Sequence, residues 1–270
     1  MWQRINEFVR SNTVLSAFFI TAFFSLLSMP VGLKTMKSDM DIRVGMPIFL
    51  LYQLFMAAVA IWLMRKLNLL DADDFAFKNI GKGLALGGVL FLLIAIVSVT
   101  NYIGLSEYFI RPEPLFLLTA ILFPLSTALL EEVVFRGVVL KTLLTKLGDT
   151  KRGIINAFLI SAALFAVVHM VHLFWATPFE VAGDLLFAIS GGMFLGAIYL
   201  RTKTLIVPIL LHFLMNLSGG VFEAFTGPDY VAAQSTLADV ATLFLVAALP
   251  LVITTFVLLR KVEPQASVSK

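Results

Sequence analysis

Glu131 and Glu132 stand side by side in the stretch Ser126–Leu140, STALLEEVVFRGVVL, with Arg136 four residues beyond the second. Apolar residues lie on both sides. Leu115–Leu130 carries no charge, and Val133, Val134, Phe135 and Val138–Leu140 are apolar again. On a helix, Glu132 and Arg136 share a face and can pair, while Glu131 points about 100° away and is free for another task. Two carboxylates against one guanidinium leave one negative charge, or one proton, to be accounted for. Ionisable groups in an apolar segment are costly to place and mark a functional site by default. The plain alternative is a structural ion pair at a helix end.

Further along come His169, then His212 and Asn216 four residues apart on one helical face. His172, near Trp175, reads as an ordinary hydrogen-bonding residue at the outer end of its helix. Counted from the nearest basic boundary, Glu131 lies about 15 Å deep, His169 about 24 Å, His212 about 14 Å and Asn216 about 20 Å. Helix tilt covers that spread. A glutamate, two histidines and an asparagine at one level are hard to explain as packing, although ordinary interhelical hydrogen bonding is the bland reading for each taken singly.

The elements that position these groups are membrane spans. Of the 270 residues, 60% are hydrophobic and 14% charged, more apolar surface than a soluble domain can hide. The uncharged run Leu115–Leu130 is about 24 Å of helix, short of the ~30 Å hydrocarbon core, so the helix must continue through the charges to about Leu140. Hydropathy gives about eight spans, near 12–33, 44–65, 83–105, 114–141, 153–174, 181–200, 204–222 and 237–260. The expected fold is all-α, a polytopic transmembrane helical bundle. Three N-terminal spans occupy 1–110, a four-helix core carrying the polar groups above occupies 111–222, and a loop, a last helix and a tail occupy 223–270. Arg4 and Arg10 precede the apolar run Val14–Leu27, but no small-x-small cleavage site follows, so it reads as an uncleaved first span.

Lysine and arginine set the expected orientation. With both termini cytoplasmic, fifteen fall in inside segments and four in outside loops, Arg136 lying within a span. The net charge of +3 suits an anionic leaflet better than nucleic acid. Cysteine is absent, which excludes disulfides, a cysteine nucleophile and thiolate metal sites. Pro208 is expected to bend its helix. Pro30, Gly83, Gly87 and Gly88 are expected at kinks and close helix contacts, and the pair Gly192 and Gly196 at close helix packing. Ser98 and Asn101 are expected to bond between helices. Asp184 and Glu180 are expected in solvent, and Trp2, Trp62 and Trp175 at interfaces.

Three motifs in order carry a family resemblance: EExxFRG at Glu131, Glu132, Phe135, Arg136 and Gly137; SxxxFxxxH at Ser161, Phe165 and His169; and HxxxN at His212 and Asn216. This resembles the CAAX protease and bacteriocin-processing (CPBP, or Abi) family of intramembrane glutamate proteases, which includes prenyl-protein endopeptidases, over about residues 115–222. The resemblance implies a hydrolase acting on a peptide or protein substrate at the membrane, lipidated substrates included. It implies Glu131 as general base on a water, His169 positioning that water and later protonating the leaving amine, and His212 and Asn216 donating to the oxyanion. Glu132 and Arg136 would support them from behind. No cofactor is expected. Zinc is the less favoured option, since HExxH is absent and asparagine suits an oxyanion better than a metal. The alternatives are a non-proteolytic scaffold or bacteriocin-immunity protein of the same fold, and a proton-coupled transporter. No inverted repeat supports the transporter. Rhomboid-type GxSG and aspartyl GxGD signatures are absent.

Overall fold

In lipid, a chain this apolar satisfies its backbone polar groups only as helix or closed barrel. The structure, a computed structural model, describes residues 1–37, 42–174, 176–226 and 234–264. It is all α. Among the described residues there is no strand, only an isolated bridge between Phe109 and Thr226. Trp175 and the terminal Lys270 lie outside the described residues.

The helices are α1 (Trp2–Ser11), α2 (Thr13–Lys37), α3 (Ile42–Lys66), α4 (Ile80–Leu86) and α5 (Gly88–Leu105). Then come α6 (Pro114–Glu132), a π-helical segment (Val133–Leu140), α7 (Lys141–Leu147) and α8 (Lys151–Val168) with a 3₁₀ extension (His169–Phe174). The chain ends with α9 (Pro178–Thr202), α10 (Ile206–Gly220), α11 (Leu237–Leu243) and α12 (Leu249–Leu259). Every expected span is helical. Among the described residues, six helices are long and apolar enough to cross a membrane, and α1 with the start of α2, bent by 114°, would make a seventh. The chain is an integral, multi-pass membrane protein. The remaining expected span is α10, whose 15 residues reach about 22 Å. It is too short to cross unaided and is largely packed inside protein.

The third span breaks at Gly87, and two of its glycines lie against α10. A Cβ on Gly83 would meet Val207 at 2.6 Å, and one on Gly87 would meet Leu211 at 3.0 Å, so α4 and α5 press directly on α10. Gly88 has open space around it and makes no such contact. Pro208 does not bend its helix. α10 begins at Ile206, so the proline occupies the first turn, where its missing N–H has no partner to lose.

The helix expected to end near Lys141 runs on to Leu147, and Lys141 is buried instead of marking a wet boundary. Its ammonium donates to the Leu69 carbonyl at 2.7 Å, to Asp71 at 2.7 Å and to Asp74 at 2.6 Å, which uses all three of its protons. Asp74 also accepts from the Tyr199 hydroxyl at 3.2 Å, and its carbonyl accepts from the Leu205 N–H at 2.7 Å. The segment between α3 and α4 therefore ties the long α6–α7 rod to the turn between α9 and α10. That fixes where Glu131 and Glu132 sit along the axis relative to His212. Within α6, Gln53 of α3 donates to Thr127 at 2.8 Å and accepts from Ser126, pinning α3 one turn before the glutamates. Trp2 and Trp62 pack edge to face at 5.3 Å. Asn101 donates across to the Ser218 carbonyl of α10 at 3.2 Å, as an interhelical bond should.

Candidate active site

Glu132 and Arg136 form the expected pair, fully buried, with Nη1 donating to Oε1 at 2.8 Å. Arg136 does more than neutralise. Its Nη2 donates to the Gly192 carbonyl of α9 at 2.9 Å, and its guanidinium lies 4.9 Å from the Phe165 ring centroid of α8. One side chain thus fastens α6, α8 and α9. The backbone around it is π-helical, a rare winding that recurs at functional sites. Ser161 of α8 donates to the Phe135 carbonyl within that segment at 3.0 Å.

Gly192 makes this convergence possible. A Cβ there would fall 2.8 Å from Cδ1 of Phe165, so the ring rests directly on the α9 backbone. Gly196 repeats the approach one turn later against Phe158 at 3.1 Å. Gly192→Val is expected to cost about 1–3 kcal/mol of stability through overpacking and to displace Phe165. Thermal unfolding in detergent checks it. A midpoint equal to wild type would show that α8 and α9 are not held at that contact.

His212 of α10 is buried between the two glutamates. Its Nδ1 lies 2.8 Å from Glu132 Oε1, and its Nε2 lies 3.6 Å from Glu131 Oε2. When Glu132 is ionised its oxygens only accept, so Nδ1 carries the proton in that bond. The distance to Glu131 is too long for a hydrogen bond but short for an electrostatic one. The two glutamates differ in access. The Glu131 side chain is 25% exposed and that of Glu132 is 0% exposed, so Glu131 is the carboxylate that can reach water. The other Glu132 oxygen, Oε2, is buried with no hydrogen-bond partner among the described residues.

His169 sits where α8 gives way to a 3₁₀ turn. Its Nδ1 is 2.9 Å from the Phe165 carbonyl, which can only accept. The neutral ring therefore carries its proton on Nδ1 and presents a lone pair at Nε2. Phe165 is the hub that the motif spacing did not reveal as such. Its ring centroid is 4.9 Å from His169, 6.1 Å from His212 and 5.0 Å from Phe135. Asn216 lies one turn beyond His212 on α10, half-buried, and its amide makes no hydrogen bond with a described residue. Glu131, Glu132, Arg136 and His212 are thus in direct array. His169 joins them across Phe165, and Asn216 joins through its helix.

Two outer residues differ from expectation. Asp184 is half-exposed yet pairs with His172 at 2.6 Å, and Glu180 closes a capping box with Thr177 at the start of α9. Neither is merely solvated. Among the described residues, no group of three or more His, Asp or Glu side chains is placed to hold a metal ion.

Residues 113–218 match the family model for type II CAAX prenyl endopeptidases, described as Rce1-like. The match begins one residue before α6 and ends inside α10, so it takes in all of the residues assembled above. No curated protein and no solved structure matches the chain.

Proposed function

We propose that this chain, whose residues 113–218 belong to the CAAX prenyl protease family, is an intramembrane endopeptidase in which Glu131 activates water against a peptide bond of a membrane-associated or lipidated substrate. The family match supports a CAAX-type membrane endopeptidase acting on protein substrates. The observation that carries the finer reading is the pair of glutamates of unequal exposure about one imidazole. The open one is available as a base, and the closed one is committed to holding His212.

In this reading Glu131 takes one proton from a water whose other proton is held by the Nε2 lone pair of His169. The hydroxide adds to the scissile carbonyl carbon, and the carbonyl electrons move to oxygen. His212 Nε2–H and the Asn216 amide donate to that oxyanion. Donation from Nε2 requires a proton on that nitrogen besides the one that Nδ1 gives to Glu132. As the intermediate collapses, the proton on Glu131 passes to the leaving nitrogen, and the added hydroxyl gives its remaining proton to His169, which passes it to the same nitrogen, leaving a carboxylate and an ammonium. Each base returns to its starting state, and no acyl-enzyme forms.

Asn216→Ala is expected to lower kcat by roughly 10²–10³ while leaving KM within a few-fold, the signature of a lost oxyanion donor. A defect confined to KM would remove that role. Reconstituted protein should cleave a membrane-tethered peptide equally well with and without EDTA. Activity lost to the chelator and restored specifically by zinc would replace the glutamate base with a metal-bound water.

A further inference from the structure

At the end of the bundle where α9 finishes lies a cavity of about 380 Å³, far from the glutamates in sequence and in lining. It is bounded by Lys82 of α4, Arg201 of α9, Lys203 in the turn to α10, and Lys261, Val262 and Glu263 after α12. Four cations therefore face one carboxylate. None of the five makes an ion pair with another described residue.

The local acids explain why the cations are left over. Asp71 and Asp74 are committed to Lys141, and Asp73 pairs with Lys78. Burial holds the Lys203 ammonium below the usual lysine range and the nearby Lys141 charge lowers it further, with Asp71 offsetting part of this. Lys203 also stands in the left-handed region, φ 61°, at the C-terminal cap of α9, a conformation that glycine adopts most readily. The carbonyl end of α9 attracts Arg201 and Lys203 in the ordinary way. It gives no reason for Lys82 and Lys261, which come from other parts of the chain.

We propose that this cavity binds the phosphate of an anionic phospholipid headgroup. A delocalised guanidinium with three ammonium groups is a phosphate-binding set. The volume falls in the range of small-ligand sites. The position selects a lipid over a soluble anion: α9 and the continuous helical stretch Leu237–Leu259, which ends with α12, are both long and apolar enough to cross the membrane, and the cavity opens at the residues where both of those spans end. The sequence also expects all four cations on the cytoplasmic side, where anionic lipids concentrate.

The test uses the full chain purified in detergent and offered phosphatidylglycerol or phosphatidylcholine, with retained lipid read by native mass spectrometry. Arg201→Gln/Lys203→Gln and Lys82→Gln/Lys261→Gln remove two charges from opposite sides of the cavity. Arg4→Gln/Arg10→Gln removes the same charge from α1 as a control. Wild type and control should retain phosphatidylglycerol in preference to phosphatidylcholine, and each cavity variant should lose roughly tenfold in phosphatidylglycerol occupancy. Equal retention in wild type and in whichever cavity variants fold overturns the site, and so does equal retention of the two lipids by wild type. Millimolar inorganic phosphate is the remaining arm. Little displacement of the lipid fits a headgroup site, whereas full displacement with equal stabilisation of lipid-free protein assigns the cavity to free phosphate and overturns the lipid assignment.

Discussion

Arg136→Ala is expected to destabilise the protein by about 3–5 kcal/mol, a large share of the 5–15 kcal/mol that holds a typical domain together. The guanidinium is buried and makes three kinds of contact at once: an ion pair with Glu132, a hydrogen bond to the Gly192 carbonyl and a stack on Phe165. Its loss leaves the Glu132 charge buried, with one oxygen already lacking a partner, and strands the Gly192 carbonyl. Lysine cannot rescue it, because a single ammonium does not reproduce the planar fork that reaches two helices. Removing Glu132 together with Arg136 should cost less than the sum of the two single changes, since no uncompensated charge then remains. Denaturant unfolding of the two single variants and the double variant completes the cycle. Additive losses would mean that the pair is not coupled.

Glu131→Gln is expected to lower turnover by about 10²–10⁴ while leaving the unfolding midpoint near wild type. That loss equals roughly 3–5 kcal/mol of barrier. The side chain is partly open, and its near polar neighbour, His212 Nε2, lies beyond hydrogen-bond range, so the fold gives up little when the charge is removed. Neighbouring glutamates thus divide the work. Changes at Glu132 and its partner register in stability, and changes at Glu131 register in rate. A Glu131→Gln protein with wild-type kcat would remove the base assignment and return the chain to the scaffold reading.

Much of this site was legible from residue spacing. An i, i+4 acid–base pair inside an apolar run has few uses besides a buried ion pair, and Glu132 and Arg136 make one. The small-xxx-small spacing of Gly192 and Gly196 was legible as close packing. The convergence of both glutamates on His212 was not, because it depends on the axial register of α6 against α10. That register is set by Lys141 with Asp71 and Asp74, which by composition read as a loop and a wet boundary. Hydropathy misread α10 for a related reason. It counts apolar residues but does not separate those facing lipid from those packed in protein, so a 15-residue inner helix looked like a full span, whereas the 83–105 span does contain a membrane-length helix, Gly88–Tyr108, that begins after the break at Gly87. Phe165 belonged to a motif, yet its place between Arg136, His169 and His212 is a fact of three helices meeting.

The most direct test of the central claim is to reconstitute wild type and Glu131→Gln in vesicles, supply a membrane-tethered peptide with and without a prenyl group, and read the products by mass spectrometry. Wild type should release one defined fragment by cleavage of a single peptide bond, and folded Glu131→Gln should release almost none. Equal cleavage by the two proteins would contradict the glutamate-activated water.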